Sequence, residues 1–104
     1  MTLEQFRETL AASAAPESLS RPLRAMWEEA KGNWAAAHTI AQEIEDETGS
    51  WIHAYLHRKE GDLGNAGYWY RRAKKPTAHD TLDEEWDRIV SALLRAGTAV
   101  LDDK

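Results

Sequence analysis

The sequence predicts an all-α protein of about six helices. Three observations carry that prediction: apolar residues recur at helical spacing in every segment, start and stop residues bracket those segments, and one hairpin-like block occurs twice. The 104 residues fit one helical domain, 1–104, with a hairpin at 21–45, another at 51–75 and a C-terminal helix at 82–96.

The elements follow in order. Thr2 and Gln5 form a capping box for a first helix over about 3–14, where Leu3, Phe6 and Leu10 recur until Pro16 stops it. Ser20 caps the second helix, and Pro22 is tolerated in its first turn because the N–H it lacks has no helical partner there. Leu23, Met26, Trp27 and Ala30 form its apolar stripe. Gly32 ends it where a left-handed residue is wanted, and Asn33 is placed to cap a third helix over 34–45, with Trp34, Ala37, Ala41 and Ile44 turned inward. Thr48 or Ser50 is the expected cap of a fourth helix from Trp51 to Glu60. Gly61 and Asp62 then repeat the stop and cap, and a fifth helix faces inward with Leu63, Ala66, Trp69, Tyr70 and Ala73. Gly64 and Gly67 open that helix rather than follow a strand, which suggests close helix packing. Lys74, Lys75 and Pro76 close it, with cations beside the carbonyl end of the helix dipole. A second capping box, Thr81 with Glu84, opens the last helix. Leu82, Trp86, Ile89, Val90, Leu93 and Leu94 give it the strongest amphipathic stripe in the chain, and Gly97 is its expected stop before an acidic tail.

Laying Gly32 on Gly61 gives an offset of 29 residues and pairs Asn33 with Asp62, Trp34 with Leu63, Ala37 with Ala66 and Ala41 with Tyr70. The later copy runs Gly61-Asp62-Leu63-x-x-Ala66-x-x-x-Tyr70-x-x-Ala73-x-x-Pro76, and Ala25 and Ala54 place small residues in the preceding helices. Over residues 21–76 this pattern resembles tetratricopeptide-repeat helical hairpins, although that family repeats at about 34 residues and stacks three or more units. The resemblance implies two stacked hairpins capped by the first and last helices. The block from Trp51 to Arg71 also resembles a group of short uncharacterised microbial proteins, which implies no known activity.

Composition narrows the function. A formal charge of −5 argues against a surface that follows a phosphate backbone, since that mode needs clustered and uncompensated Lys and Arg. Nucleic acid is therefore not an expected partner. No stretch approaches the ~20 apolar residues of a membrane span, and Met1–Phe6 carry no basic region before an apolar run, so a cytoplasmic location is the expectation. The absence of cysteine excludes disulfides, thiolate metal sites and a cysteine nucleophile.

Two groups of residues could carry chemistry. His53, His57 and Glu60 stand at i, i+4 and i+7 on one helical face, where two imidazoles one turn apart can hold a divalent metal. His38 on the third helix would add a third imidazole if the two helices meet. The zincin signature is absent, because Ala54 stands where that motif needs glutamate. The competing reading is structural, with each histidine hydrogen-bonded against a neighbouring helix. The second group comprises Arg58, Asn65, Tyr68, Arg71 and Arg72 which, with Lys59, Lys74 and Lys75, make a local basic area suited to an acidic peptide, a carboxylate or a phosphate. These cations could instead pair with Glu43, Glu45, Asp46 and Glu47. No phosphate loop, serine elbow or other catalytic motif occurs, and no catalytic residue is assigned. The expectation is a binding module for a protein or peptide, or one that self-associates through the last helix as a homodimer. The alternative is a small metal- or anion-binding protein or enzyme built on His53, His57 and Glu60.

Overall fold

A computed structural model describes the backbone of residues 1–102 and the side chains of 1–96. The chain is all-α. Its six helices are α1 (Leu3–Thr9), α2 (Arg21–Ala30), α3 (Trp34–Glu43), α4 (Glu47–Glu60), α5 (Leu63–Ala73) and α6 (Leu82–Asp102). There is no strand among the described residues. Helix α4 is central and packs against α2, α3, α5 and α6, while α2 also meets α3 and α6, and α1 rests on α6. This position explains why seven consecutive residues, Trp51 to Leu56 and then His57, are buried: a helix covered from every side has no solvent face.

Local signals set most of the boundaries. In the Thr2–Gln5 box the Thr2 N–H donates to Gln5 Oε1 at 2.8 Å and the Gln5 N–H donates to Thr2 Oγ1 at 3.1 Å. The Thr81–Glu84 box closes in the same way, with both bonds at 3.0 Å. Gly32 and Gly61 adopt φ of 87° and 91°, the left-handed conformation that a side chain disfavours. Other boundaries depart from the sequence expectation. Helix α1 ends at Thr9, short of 14, because Leu10 leads into turns. Asn33 makes no side-chain cap and its amide donates to Glu28 Oε1 at 2.8 Å instead. The cap of α4 is neither Thr48 nor Ser50 but Asp46, whose carboxylate accepts from the Gly49 N–H at 3.0 Å, so the helix starts four residues early. Helix α6 continues through Gly97 to Asp102. A glycine inside a helix costs only about 1 kcal/mol, and neither proline nor a turn cluster follows it. The tail beyond it lies outside the described residues.

The early start of α4 depends on Gly49. A Cβ there would lie 2.0 Å from the Ile44 carbonyl oxygen, a backbone atom that cannot swing away. Gly49→Ala is therefore expected to cost about 1–3 kcal/mol of stability, read by urea denaturation. Gly64, which has nothing within 4 Å of its Cβ position, is the control. Gly64→Ala is expected to be neutral or to gain up to about 1 kcal/mol. Equal effects at the two sites would contradict the close approach at Gly49. The open space at Gly64, and the distance of 3.6 Å from Gly67 to its nearest neighbour, Arg71 Nη1, also correct the expectation that these glycines serve close packing.

Tryptophans tie the helices together. Trp86 lies 5.8 Å from Phe6 between ring centroids and donates to the Met26 carbonyl at 3.3 Å, joining α6 to α1 and α2. Trp27 donates to the Thr9 carbonyl at 3.4 Å. Because Trp86, Ile89 and Val90 are buried within the chain, the apolar stripe of α6 is largely covered without a second copy. Leu63, expected inside, is 68% exposed at the first turn of α5, where no neighbouring helix reaches it.

Candidate metal centre

Helices α3 and α4 bring three imidazoles together. His53 and His57 stand one turn apart on the face of α4 that meets α3, and His38 reaches them from α3. His38 Nε2 and His53 Nε2 are 2.9 Å apart, and one ring nitrogen from each of the three histidines lies within 4.8 Å of the others. His53 and His57 are buried, and His38 is half-buried. The rings sit between two tryptophans. Trp34 stacks on His38 at 4.9 Å, and Trp69 lies nearly parallel to His53 at 3.9 Å, with 12° between the planes. Trp34 is itself fixed, since its indole N–H donates to the Leu56 carbonyl at 2.8 Å.

Glu60 takes a different position from the one its spacing suggests. Its Oε1 is 2.6 Å from His57 Nδ1, so it holds that ring from behind rather than joining the three nitrogens. Burial pushes His53 down to about 4, with the neighbouring His38 and His57 adding to the effect. Burial and then His57 also lower His38, against a smaller opposing pull from Glu60. Both rings are accordingly neutral at pH 7 with lone pairs available, the state a metal requires. Beside His53 a groove of about 530 Å³ opens to solvent, walled by Trp69 and Arg72 on one side and by Glu45, Asp46 and Glu47 on the other.

The residues of the basic area do not act as one surface. Arg58 turns inward, its side chain only 15% exposed, and donates to Glu85 at 2.8 Å and to the Asp80 carbonyl. Asn65 stays in its own turn, with its side chain 3.4 Å from Asp62. Tyr68 and Arg72 remain outside as a unit: Arg72 Nη1 donates to the Tyr68 hydroxyl at 3.0 Å, and the guanidinium lies over Trp69. Arg71 is exposed. Of the lysines, Lys74 pairs with Glu47 at 3.2 Å and Lys75 lies over the Trp51 ring.

No match is found among family models, characterised proteins or solved structures. The chemistry is therefore read from the side chains alone.

One buried constellation escaped the sequence reading. Glu85 is fully buried, yet its carboxylate accepts from Arg58 at 2.8 Å, from the Tyr70 hydroxyl at 2.7 and 2.8 Å and from the Trp51 indole at 3.3 Å. Burial first, and the Glu85 carboxylate second, hold the Tyr70 proton in place far above the ordinary range of a phenol. The signal was present in the sequence, since Glu85 falls three residues after Leu82 and four before Ile89, within the apolar stripe of α6. A charge there has to be paired or it would oppose folding.

Proposed function

We propose that this protein binds a divalent metal ion through His38, His53 and His57, with Glu60 orienting His57. The convergence of His38 on the other two imidazoles is the observation that carries this reading. Three imidazole ligands with a fourth position left open are the donor set of many zinc sites that act on a water or a substrate. The pairing of Glu60 with His57 Nδ1 fits the carboxylate–histidine arrangement that fixes a ligand's tautomer and leaves Nε2 for the metal. When bound, the ion would supply Lewis acidity beside the groove at His53, while Trp69 and Trp34 hold the rings in place.

Cobalt(II) titration of metal-free protein is the test. One equivalent is expected to give visible absorption of a four- or five-coordinate nitrogen site, with competition by zinc. His38→Gln is expected to weaken binding by about 100-fold or more, and Glu60→Gln by about 10- to 100-fold. Absence of the band, or a His38→Gln variant that binds as well as the parent, would leave the three histidines as a hydrogen-bonded core cluster.

A second reading is recognition of a protein or peptide by a tetratricopeptide-like array, including self-association. It is favoured by the 29-residue offset between Gly32 and Gly61, both left-handed, and by the exposed Tyr68–Arg72 unit on α5. The two readings are compatible, because Arg72 of that unit lines the groove next to His53.

A further inference from the structure

A second cavity, of about 400 Å³, opens where α1, α2, α4 and α6 come together, away from the histidines. Its size falls within the ordinary range of small-ligand sites. Tyr55 lies in its wall and is only 2% exposed, yet its hydroxyl has no hydrogen-bond partner among the described residues. No fully buried side-chain polar atom among those residues lacks a partner, so the hydroxyl must be reached from outside, through the cavity it lines. Glu29 is similar. Its carboxylate is buried, Oε2 pairs with Lys59, and Oε1 has no partner among the described residues. Asp83, at the start of α6, adds a carboxylate that makes no hydrogen bond or ion pair within the described chain.

The charge balance decides what fits. The cavity's two cations are already neutralised, Lys59 by Glu29 and Arg7 by Asp87, which leaves Asp83 uncompensated. The Tyr55 hydroxyl feels the same negative field: after burial, Glu29, Glu85 and Asp83 are what hold its proton on. A hydroxyl oxygen, a free carboxylate oxygen and an unpaired carboxylate are all acceptors for an N–H donor. Leu10, Ala30 and the Trp86 ring offer apolar wall beside them. A bare metal ion is a poor match, because Glu29 and Asp83 belong to none of the tight ligand groups among the described residues.

We propose that this cavity binds a small organic primary ammonium ion, its charged head among Tyr55, Glu29 and Asp83 and its carbon chain against Trp86. The site is independent of the metal reading, and its test does not involve the histidines. n-Butylamine is the probe, followed by amide and indole chemical shifts of isotopically labelled full-length protein at pH 7. Saturable shifts are expected at Tyr55, Asp83 and the Trp86 indole with a Kd of about 1 mM, a reasonable value for a ligand of so few atoms. n-Butanol, the neutral isostere, is expected to bind at least about tenfold more weakly. Asp83→Asn, at an exposed position, and Tyr55→Phe, which keeps the ring in place, are each expected to weaken butylamine by about three- to tenfold. No saturable shift up to about 50 mM, equal binding of n-butanol, unchanged affinity in both variants, or shifts confined to Glu45–Glu47 would each overturn the proposal.

Discussion

Glu85→Ala is expected to lower stability by about 3–5 kcal/mol, the cost of breaking a buried ion pair by removing one partner. The substitution takes one acceptor from three donors at once. Arg58 would keep its charge in a site where only 15% of its side chain meets water, and the Tyr70 hydroxyl and the Trp51 indole would each lose a bond. A domain of this size has about 5–15 kcal/mol in total, so the variant would stand near the edge of folding. Urea denaturation followed by circular dichroism measures the loss. The arrangement also predicts a recovery. With Arg58→Met and Tyr70→Phe added to Glu85→Leu, the charge and the hydroxyl are removed with their acceptor, only the long Trp51 indole bond is left unreplaced, and much of the lost stability is expected to return. A Glu85→Ala loss under about 1 kcal/mol, or a triple variant weaker than Glu85→Ala, would contradict the network as described.

Acid is the second lever, and it acts through His53. The folded-state value near 4 lies below the ordinary 6.5, so the unfolded chain binds the proton more readily at every pH between them. Stability from this group is complete above 6.5, falls as pH drops from 6.5 towards 4, and changes no further below. The full loss is about 3 kcal/mol, of which roughly 1.5 kcal/mol falls between pH 6.5 and 5, where carboxylates remain ionised. His38, also lowered, acts in the same direction. The groups facing His53 are His38 from α3, its own neighbour His57 with Glu60 behind it, Trp69 and Arg72 from α5, and across the groove Glu45, Asp46 and Glu47. Among the described residues His53 has no hydrogen-bonded carboxylate, and its ring partner is the His38 imidazole, so no anion in direct contact offsets the burial. Thermal melts in the presence of a chelator are expected to shift down by roughly 5–10 °C between pH 6.5 and 5, and a His53→Gln variant to show less than half of that slope. An unchanged slope in the variant would assign the effect to other groups.

These two effects arise at places of different legibility. The histidine group was half visible: the i, i+4 spacing placed His53 and His57 on one face, and His38 was a conditional third member. Its convergence, and the capture of two rings by Trp34 and Trp69, depend on the contact between α3 and α4 and on the approach of α5. Arg58 shows the opposite outcome. A cation near the end of a helix reads as surface, yet α6 returns over α4 and encloses it with Glu85.

By itself the sequence determined the all-α class, two capping boxes, two left-handed glycine stops and most of the inward stripes. The reason is that these depend on residues within one or two turns of each other. Only the tertiary structure decided which polar groups are buried, which carboxylate answers which cation, where α4 begins and where the cavities lie. Those outcomes are set by partners distant in sequence: 27 residues separate Arg58 from Glu85, and 15 separate His38 from His53. Whether a charge or an imidazole is exposed, paired or available for a ligand depends on what another helix brings to it, which helical periodicity does not encode.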